Sequence, residues 1–458
     1  MSEGARAARE LVASDFGLVI EPGADRWRGL IRFEPTDESR ALREQLSLPT
    51  DRPVVMSGHQ SEFWGPGILA KWIACVEGSE ALGAFPAWLV ADQDAGDASL
   101  IRYPATGEDG APRPGLARLE PGRPEGEGLR PTAAQRAIRV APGDLVPEPV
   151  RPIGEALRAH EDEPDAARQV QRALADLASF LGPAPTSVFA RDLSGTTMFA
   201  NLVARMREDP AACVSAYNDA VERHPDSGVR PLVVTDEARG PELPLWIITP
   251  DGERRRATAR DLADASTERL APRALLLTTL VRLGACDLFI HGTGGGAYDL
   301  VTEDWIGAWL GRPLAPAAVV TATVLPDVRV TNLHDAERAD HASWLAHAAR
   351  HNPGLLGDES ADAAKRELLA RIEQAKLVGQ SPAPLFTQLH ESLREARERH
   401  ATTLETLDRE AQRLQRAAGG ARRGAQIARD RTLAFPLVPN DRLLALRDAI
   451  RDRLHAPT

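Results

Sequence analysis

The side chains best equipped for chemistry fall in three short stretches. The first is Ser57-Gly58-His59-Gln60-Ser61-Glu62-Phe63-Trp64-Gly65-Pro66-Gly67, followed by Lys71. Glycines let a backbone approach a ligand closely, a helix N-terminus offers unpaired N–H groups to an anion, and an imidazole exchanges protons near neutral pH. The stretch reads as a pocket for a phosphate or carboxylate, with His59 as proton donor or acceptor. A plain turn around a hydrogen-bonded histidine is the alternative. The second stretch, Asp92-Gln93-Asp94-Ala95-Gly96-Asp97, spaces three carboxylates at i, i+2 and i+5. Such a set can hold a divalent cation or orient a substrate amine. A solvated acidic turn is the alternative, since the remaining ligands of a calcium loop are missing. The third stretch, His291-Gly292-Thr293-Gly294-Gly295-Gly296-Ala297-Tyr298-Asp299, matches neither the dinucleotide fingerprint nor the P-loop, yet it has the glycine-rich character of a phosphate cradle. Three successive glycines carry a conformational-entropy cost, which argues for binding rather than packing.

These stretches need a scaffold. Residues 53–58 form an apolar run ending in glycine, 67–77 have helical character, and 86–91 form a second apolar run, together a βαβ unit. Further strands are expected at 231–235, 245–249, 286–290 and 317–323, with helices at 272–283 and 298–310. Alternating strands and helices predict an α/β fold with a Rossmann-like, doubly wound, mainly parallel sheet, and in such sheets ligands bind at the carboxyl ends of the strands. Residues 104–152 hold 10 prolines and 7 glycines and read as a surface insertion or lid, followed by a helical connecting segment over 153–225. Apolar or small residues at 389, 393, 396, 404, 407, 411, 414 and 418, with His400 in the gap, trace the seam of a coiled coil. A helix at 361–378 is its expected antiparallel partner; a single amphipathic helix is the alternative. The expected organisation is a core over 1–333, a helical coiled-coil domain over 334–431, and a segment over 432–458 that returns to the core.

The totals bound the function. The 458 residues carry a net charge of −11, which argues against a nucleic-acid binder. Residues 1–16 are charged throughout, unlike a signal peptide, and no window has the apolar length of a membrane span. Cys75, Cys213 and Cys286 are far apart, without metal-type spacing, and are expected to be buried thiols in a reducing, cytoplasmic setting. The basic residues are almost all arginine; the lysines are Lys71, Lys365 and Lys376. Lys71 alone falls in the core, where a compact ammonium does what a planar guanidinium does not. The six arginines between 413 and 431 read as a solvated face or a phosphate patch.

In their order, several of these features resemble the bacillithiol-biosynthesis cysteine-adding enzyme family, BshC. The resemblance rests on Gly58-His59-Gln60 with Gly65-Pro66 and Lys71, the acidic turn from Asp92 to Asp97, and Pro244-Leu245-Trp246 with Gly252 and Arg254. It also includes Arg273, the segment Gly292 to Tyr298, and Phe435-Pro436. His59 stands where the family has glutamine, and the acidic turn lacks the family's Glu and His. The resemblance implies a nucleotidyltransferase-type core, a C-terminal coiled coil that admits a homodimer, and a ligase joining cysteine to the amine of an amino-sugar malate. It implies that Lys71 and Gly294 to Gly296 hold anionic groups, that His59 or Asp94 manages the proton, and that Asp92 and Asp97 bind an amine or a cation. Gly58, Gln60, Gly65, Arg273, His291 and Tyr298 complete the expected substrate site. ATP and Mg²⁺ are admitted as cofactors, and no metal ligands are assigned. Two other readings stay open: nucleotidyl or adenylyl transfer to another small acid, and a non-catalytic scaffold with a relic core.

Overall fold

Along the apolar runs, neighbouring residues enter different cores. Val54, Met56, Ala87, Leu89 and Phe289 belong to one cluster, while Val55, Trp88, Val90, Leu288 and Ile290 belong to another. Successive side chains of a strand point to opposite faces, so these runs must lie in a sheet covered on both sides. The computed structural model, which describes residues 16–94, 96–107, 112–122, 136–234, 239–249, 252–264, 270–326 and 333–456, has this arrangement.

The strands are β1 (Phe16–Glu21), β2 (Val54–Gln60), β3 (Phe85–Ala91), β4 (Leu100–Thr106), β5 (Pro112–Arg118), β6 (Thr186–Phe189), β7 (Glu242–Ile248), β8 (Arg254–Thr258), β9 (Leu270–Pro272), β10 (Leu288–His291) and β11 (Ala317–Val324). The main sheet has the order β1-β11-β10-β2-β3-β6. All of its pairings are parallel except that of β1, which closes one edge against β11.

The main helices are α1 (Asp37–Gln45), α2 (Pro66–Leu82), α3 (Arg151–Arg158), α4 (Ala166–Leu177), α5 (Thr197–Glu208), α6 (Pro210–Arg223), α7 (Ala274–Leu280), α8 (Thr293–Leu310), α9 (Leu333–Ala349), α10 (Glu359–Leu377), α11 (Ala383–Arg399), α12 (Ala401–Ala428) and α13 (Asn440–Leu454). Helix α2 begins with Pro66 in its first turn and stops at Gly83, whose φ of 64° lets the chain leave the helix. With Leu69 through Cys75 buried, α2 lies between the sheet and α13.

Several sequence expectations need correction. Residues 242–248 do form a strand, but it belongs to a separate antiparallel sheet of order β8-β7-β9. Apolar patterning specifies a strand without naming its partners. Residues 231–234 form no strand; there the chain is held by Glu242, whose N–H donates to the Val233 carbonyl at 2.8 Å, and residue 235 lies outside the described residues. The proline-rich stretch is also less superficial than expected. β4 and β5 form a two-stranded ribbon, and Ile138, Ala141, Val146 and Val150 are buried in the first core. Gln169 brackets Ile138, accepting from its N–H at 2.6 Å and donating to its carbonyl at 2.9 Å. Buried backbone groups need such partners. Residues 108–111 and 123–135 lie outside the described residues.

The chain divides into two compact units. One comprises Met1–Tyr103, Gly115–Asp327 and Asp430–Thr458, the other Pro104–Pro114 and Val328–Arg429. In the first, the C-terminal segment packs Phe435, Leu443, Leu446 and Ile450 into the core, and the Phe435 N–H donates to the Trp64 carbonyl at 2.6 Å. In the second, the helices form two antiparallel pairs, α10 with α11 and α9 with α12. The expected single hairpin is therefore divided. Its seam residues Leu389, Leu393, Ala396, Leu404, Ala411 and Ala418 are buried, but a turn at His400 separates α11 from α12. Asp358, at the start of α10, takes Arg399 at 3.0 Å and His400 at 3.1 Å, pinning that turn. All three cysteines are buried free thiols, and no described helix is long and apolar enough to cross a membrane.

Candidate functional site

From β2 the chain moves to β3 and then β6 on one side, and it later returns to place β10 on the other side of β2. Crossovers leaving in opposite directions open a crevice at the carboxyl ends of β2 and β10, the place where open α/β sheets bind ligands. A cavity of about 720 Å³ lies there. Gly58, His59 and Gln60 enter it from β2, Ala91 from β3, and His291 from β10.

His59 is fixed by its own backbone: its Nδ1 accepts the Gln60 N–H at 2.8 Å. In the neutral ring, Nε2 therefore carries the proton, and it sits 3.9 Å from a Glu62 carboxylate oxygen. The ring lies parallel to Trp64 at 6.5 Å between centroids. Burial, reinforced by the positive charge of Lys71, lowers the imidazole pKa to about 3. His59 thus presents a neutral N–H donor. Glu62, whose side chain is 56% exposed, is shifted the other way, raised by partial burial and by the negative charge of Asp94.

Lys71 rises from α2 to the cavity floor, where its Nζ donates to the Gly58 carbonyl at 2.5 Å and lies 5.5 Å from the Trp88 ring. Burial brings its pKa down to about 7. An amine desolvated in this way holds its proton less firmly than an exposed one. Gly58 is required by strand spacing, since a Cβ would stand 2.4 Å from the Leu89 carbonyl oxygen. At Gly65 a Cβ would lie 2.6 Å from the Arg431 carbonyl oxygen, so the C-terminal segment can cross the start of α2 only over a glycine.

The acidic turn does not act as a unit. Asp94 lines the cavity, accepting from Gln60 Nε2 at 2.9 Å and from Arg254. Asp97 also lines it, but is occupied by the Ser99 N–H at 3.0 Å, the Ser99 hydroxyl and Arg118. Asp92 is no part of the cavity lining: it is fully buried against Arg191, accepting its backbone N–H and forming an ion pair with its guanidinium, and burial raises its pKa to about 6. It anchors the start of the short helix Ala190–Ser194 to the end of β3. The three carboxylates point to three different partners, so the turn does not fit a shared cation. Among the described residues, the Glu77, Glu80 and His455 side chains gather closely enough to share one, but Glu77 is already paired with Arg451 at 2.9 Å.

The triple glycine is not a loop. Gly292 caps α8, and Gly294, Gly295 and Gly296 form its first turn. A Cβ on Gly295 would lie 2.4 Å from His291 Nδ1, and one on Gly296 would lie 2.6 Å from Val319, so those two are packing glycines. Gly294 has open space and lines the cavity, as do Gly292 and Thr293. His291 lines the cavity as well, but its Nε2 is 3.0 Å from Asp299. Burial would raise the Asp299 pKa, yet His291 and Arg282 hold it below the ordinary carboxylate value. Tyr298 lines the cavity edge-on to His291, and burial raises its hydroxyl pKa to about 12. Arg273 stays outside, paired with buried Glu242 and lying 5.0 Å from the Trp246 ring.

Several lining residues were not singled out as site residues from the sequence. Arg254 covers Trp246 at 4.8 Å and donates to Asp94 and to the Gln93 carbonyl; it was visible only as part of the resemblance. Glu62, Arg102, Trp246 and Arg431 also face the cavity. Arg431 sat inside a basic run that read as a solvated face or a phosphate patch. Gln93 is buried, its side-chain amide donates to Ser194 at 2.9 Å, and its Oε1 has no partner among the described residues. No model of a known protein family matches the chain, and no curated protein matches it.

Proposed function

We propose that the protein is an amide-forming ligase of the cysteine-adding, BshC-like type, joining cysteine to the amine of an amino-sugar malate such as glucosaminyl-malate. One observation carries this reading: a cavity at the switch point of the sheet sets a neutral N–H donor, His59 Nε2, beside a carboxylate of raised pKa, Glu62. In amide formation the amine nitrogen attacks an activated acyl carbon, the leaving group departs with the acyl C–O electrons, and the amine loses a proton. Glu62 is suited to accept that proton, and the His59 N–H is suited to hydrogen-bond the oxyanion. The open first turn of α8 at Gly294, with Arg102 and Arg431, supplies positive potential for carboxylates. Counted in chain order, the five parallel strands lie 3-2-1-4-5, which supports the Rossmann-like reading of the core. The antiparallel helix pairs with a buried seam support the coiled-coil reading. Magnesium does not suit the acidic turn, and no step here runs through it.

The test is mass spectrometry of purified protein incubated with cysteine and glucosaminyl-malate, with and without ATP and Mg²⁺. A thiol of the condensed mass is expected, lost in His59→Ala at unchanged circular dichroism. No product from folded wild-type protein overturns the reading; unchanged turnover in His59→Ala removes only that residue from it. A second reading, adenylyl or nucleotidyl transfer to another small acid, is favoured by the same open helix turn at Gly294. Tight, magnesium-dependent ATP binding without condensation of cysteine would select it.

A further inference from the structure

Lys71 is only 7% exposed, yet it lines the cavity. Among the described residues no carboxylate pairs with it. The acidic groups that share the cavity are engaged elsewhere: Asp94 with Gln60 and Arg254, Asp97 with Ser99 and Arg118, and Glu62 near His59. The Lys71 Nζ donates to the Gly58 carbonyl and lies 5.5 Å from the Trp88 ring. Trp64, Trp72 and Trp88 pack together at 4.9–5.5 Å between centroids, making that floor apolar. Desolvation of this kind disfavours the ammonium form, and burial lowers the pKa to about 7. The neutral amine is the nucleophilic form of lysine, and lysines in apolar pockets attack carbonyl carbons. The Lys71 side chain also runs within 3.8 Å of where a Cβ of Gly292 would stand, beside the first turn of α8. A carbonyl compound carrying a carboxylate can therefore place its anion on that turn and its carbonyl carbon toward the amine.

We propose that Lys71 is a covalent capture site for small 2-oxo acids, condensing with their carbonyl group to form an imine on the cavity floor. The nitrogen lone pair forms the C–N bond as the carbonyl π bond opens to a carbinolamine. The carbonyl oxygen then leaves with both amine hydrogens as one molecule of water, giving the C=N bond. No oxidant or reductant is needed. This chemistry is separate from amide formation and stands or falls without it.

The scarcity of lysine makes the test clean, because Lys365 and Lys376 are internal controls in the helical unit. The full-length protein is incubated with pyruvate or glyoxylate and cyanoborohydride at pH 7.5, digested, and mapped by mass spectrometry. Burial leaves more of Lys71 neutral at this pH than of an ordinary lysine. The expected result is reductive labelling of Lys71 at least tenfold faster than of Lys365 or Lys376. Acetaldehyde, which lacks the carboxylate, should label Lys71 more slowly than glyoxylate. Labelling of Lys71 no faster than the two controls overturns the proposal. So does labelling that appears only after the chain is unfolded, which would mean the amine is sealed from the cavity. The comparison lies within the wild-type chain and requires no variant to fold. Lys71→Met provides a second arm: its rapid adduct should vanish, and persistence of that adduct assigns it elsewhere and overturns the proposal. Condensation of cysteine is not read in this experiment, so failure of the ligase reading leaves the outcome unaffected.

Discussion

At Gly294 and Gly295, neighbours in one helical turn, an added methyl group meets opposite surroundings. The first position is open; the second would drive a Cβ to 2.4 Å from the His291 ring. Gly294→Ala should therefore leave stability unchanged or raise it by up to about 1 kcal/mol through helix propensity. Gly295→Ala should cost about 1–3 kcal/mol through overpacking. Urea midpoints at constant m value check this, and equal effects at the two positions would contradict it. Lys71 gives a pH prediction. Its ordinary pKa of 10.5 falls to about 7 in the fold, so between those values the unfolded chain binds more protons and stability rises with pH. The penalty is fully present below pH 7 and gone above pH 10.5. Lys71→Met should stabilise the protein by on the order of a few kcal/mol at pH 7 and flatten the slope between pH 7 and 10. Urea melts at the two pH values test it; an unchanged slope would show that the amine is solvated. The rarity of lysine made Lys71 visible in the sequence, and His59 and Asp94 were visible by type. Their partners were not, because the contacts that decide their roles, such as that of Asp92 with Arg191, join residues 99 positions apart. The glycines misled because side chains require them: the His291 ring, four residues before Gly295, and Val319 of β11 beside Gly296.

Among the elements, the β2-α2-β3 unit was legible because its signals are local: two apolar runs and a glycine-proline turn before the helix. β7 was legible as a strand but not as a member of a second sheet, since its pairing with β8 and β9 depends on loops that carry no pattern. The helical seam was legible as a buried stripe; its division at His400 depends on Asp358, a residue 42 positions away. The C-terminal segment matters to the site through one aromatic anchor. Phe435 is fully buried, and just before it the chain crosses Gly65 and brings Arg431 to the cavity. Phe435→Ala should cost about 3–5 kcal/mol and, in protein that still folds, weaken binding of anionic ligands as Arg431 loosens. Chemical denaturation with parallel ligand titration reads both effects. A loss of stability with undiminished affinity would separate the segment from the site.

At the scale of the molecule, a discontinuous first unit builds the sheet and its cavity, while the second consists mainly of paired helices. The alternation of strands and helices made the α/β class legible, and the strand order could not be read because neighbours in the sheet come from distant parts of the chain. That order puts His59 and His291 on adjacent strands, although 232 positions separate them. We propose that the crevice between those strands binds an anionic amino-sugar substrate. Isothermal titration of the full-length protein with glucosaminyl-malate, in wild type and in Arg254→Ala, tests it most directly. Arg254 orients Asp94 and stacks on Trp246 at the cavity wall, so saturable binding should weaken at least tenfold in the variant. No saturable heat with folded wild type, or binding indifferent to Arg254→Ala, would contradict the account.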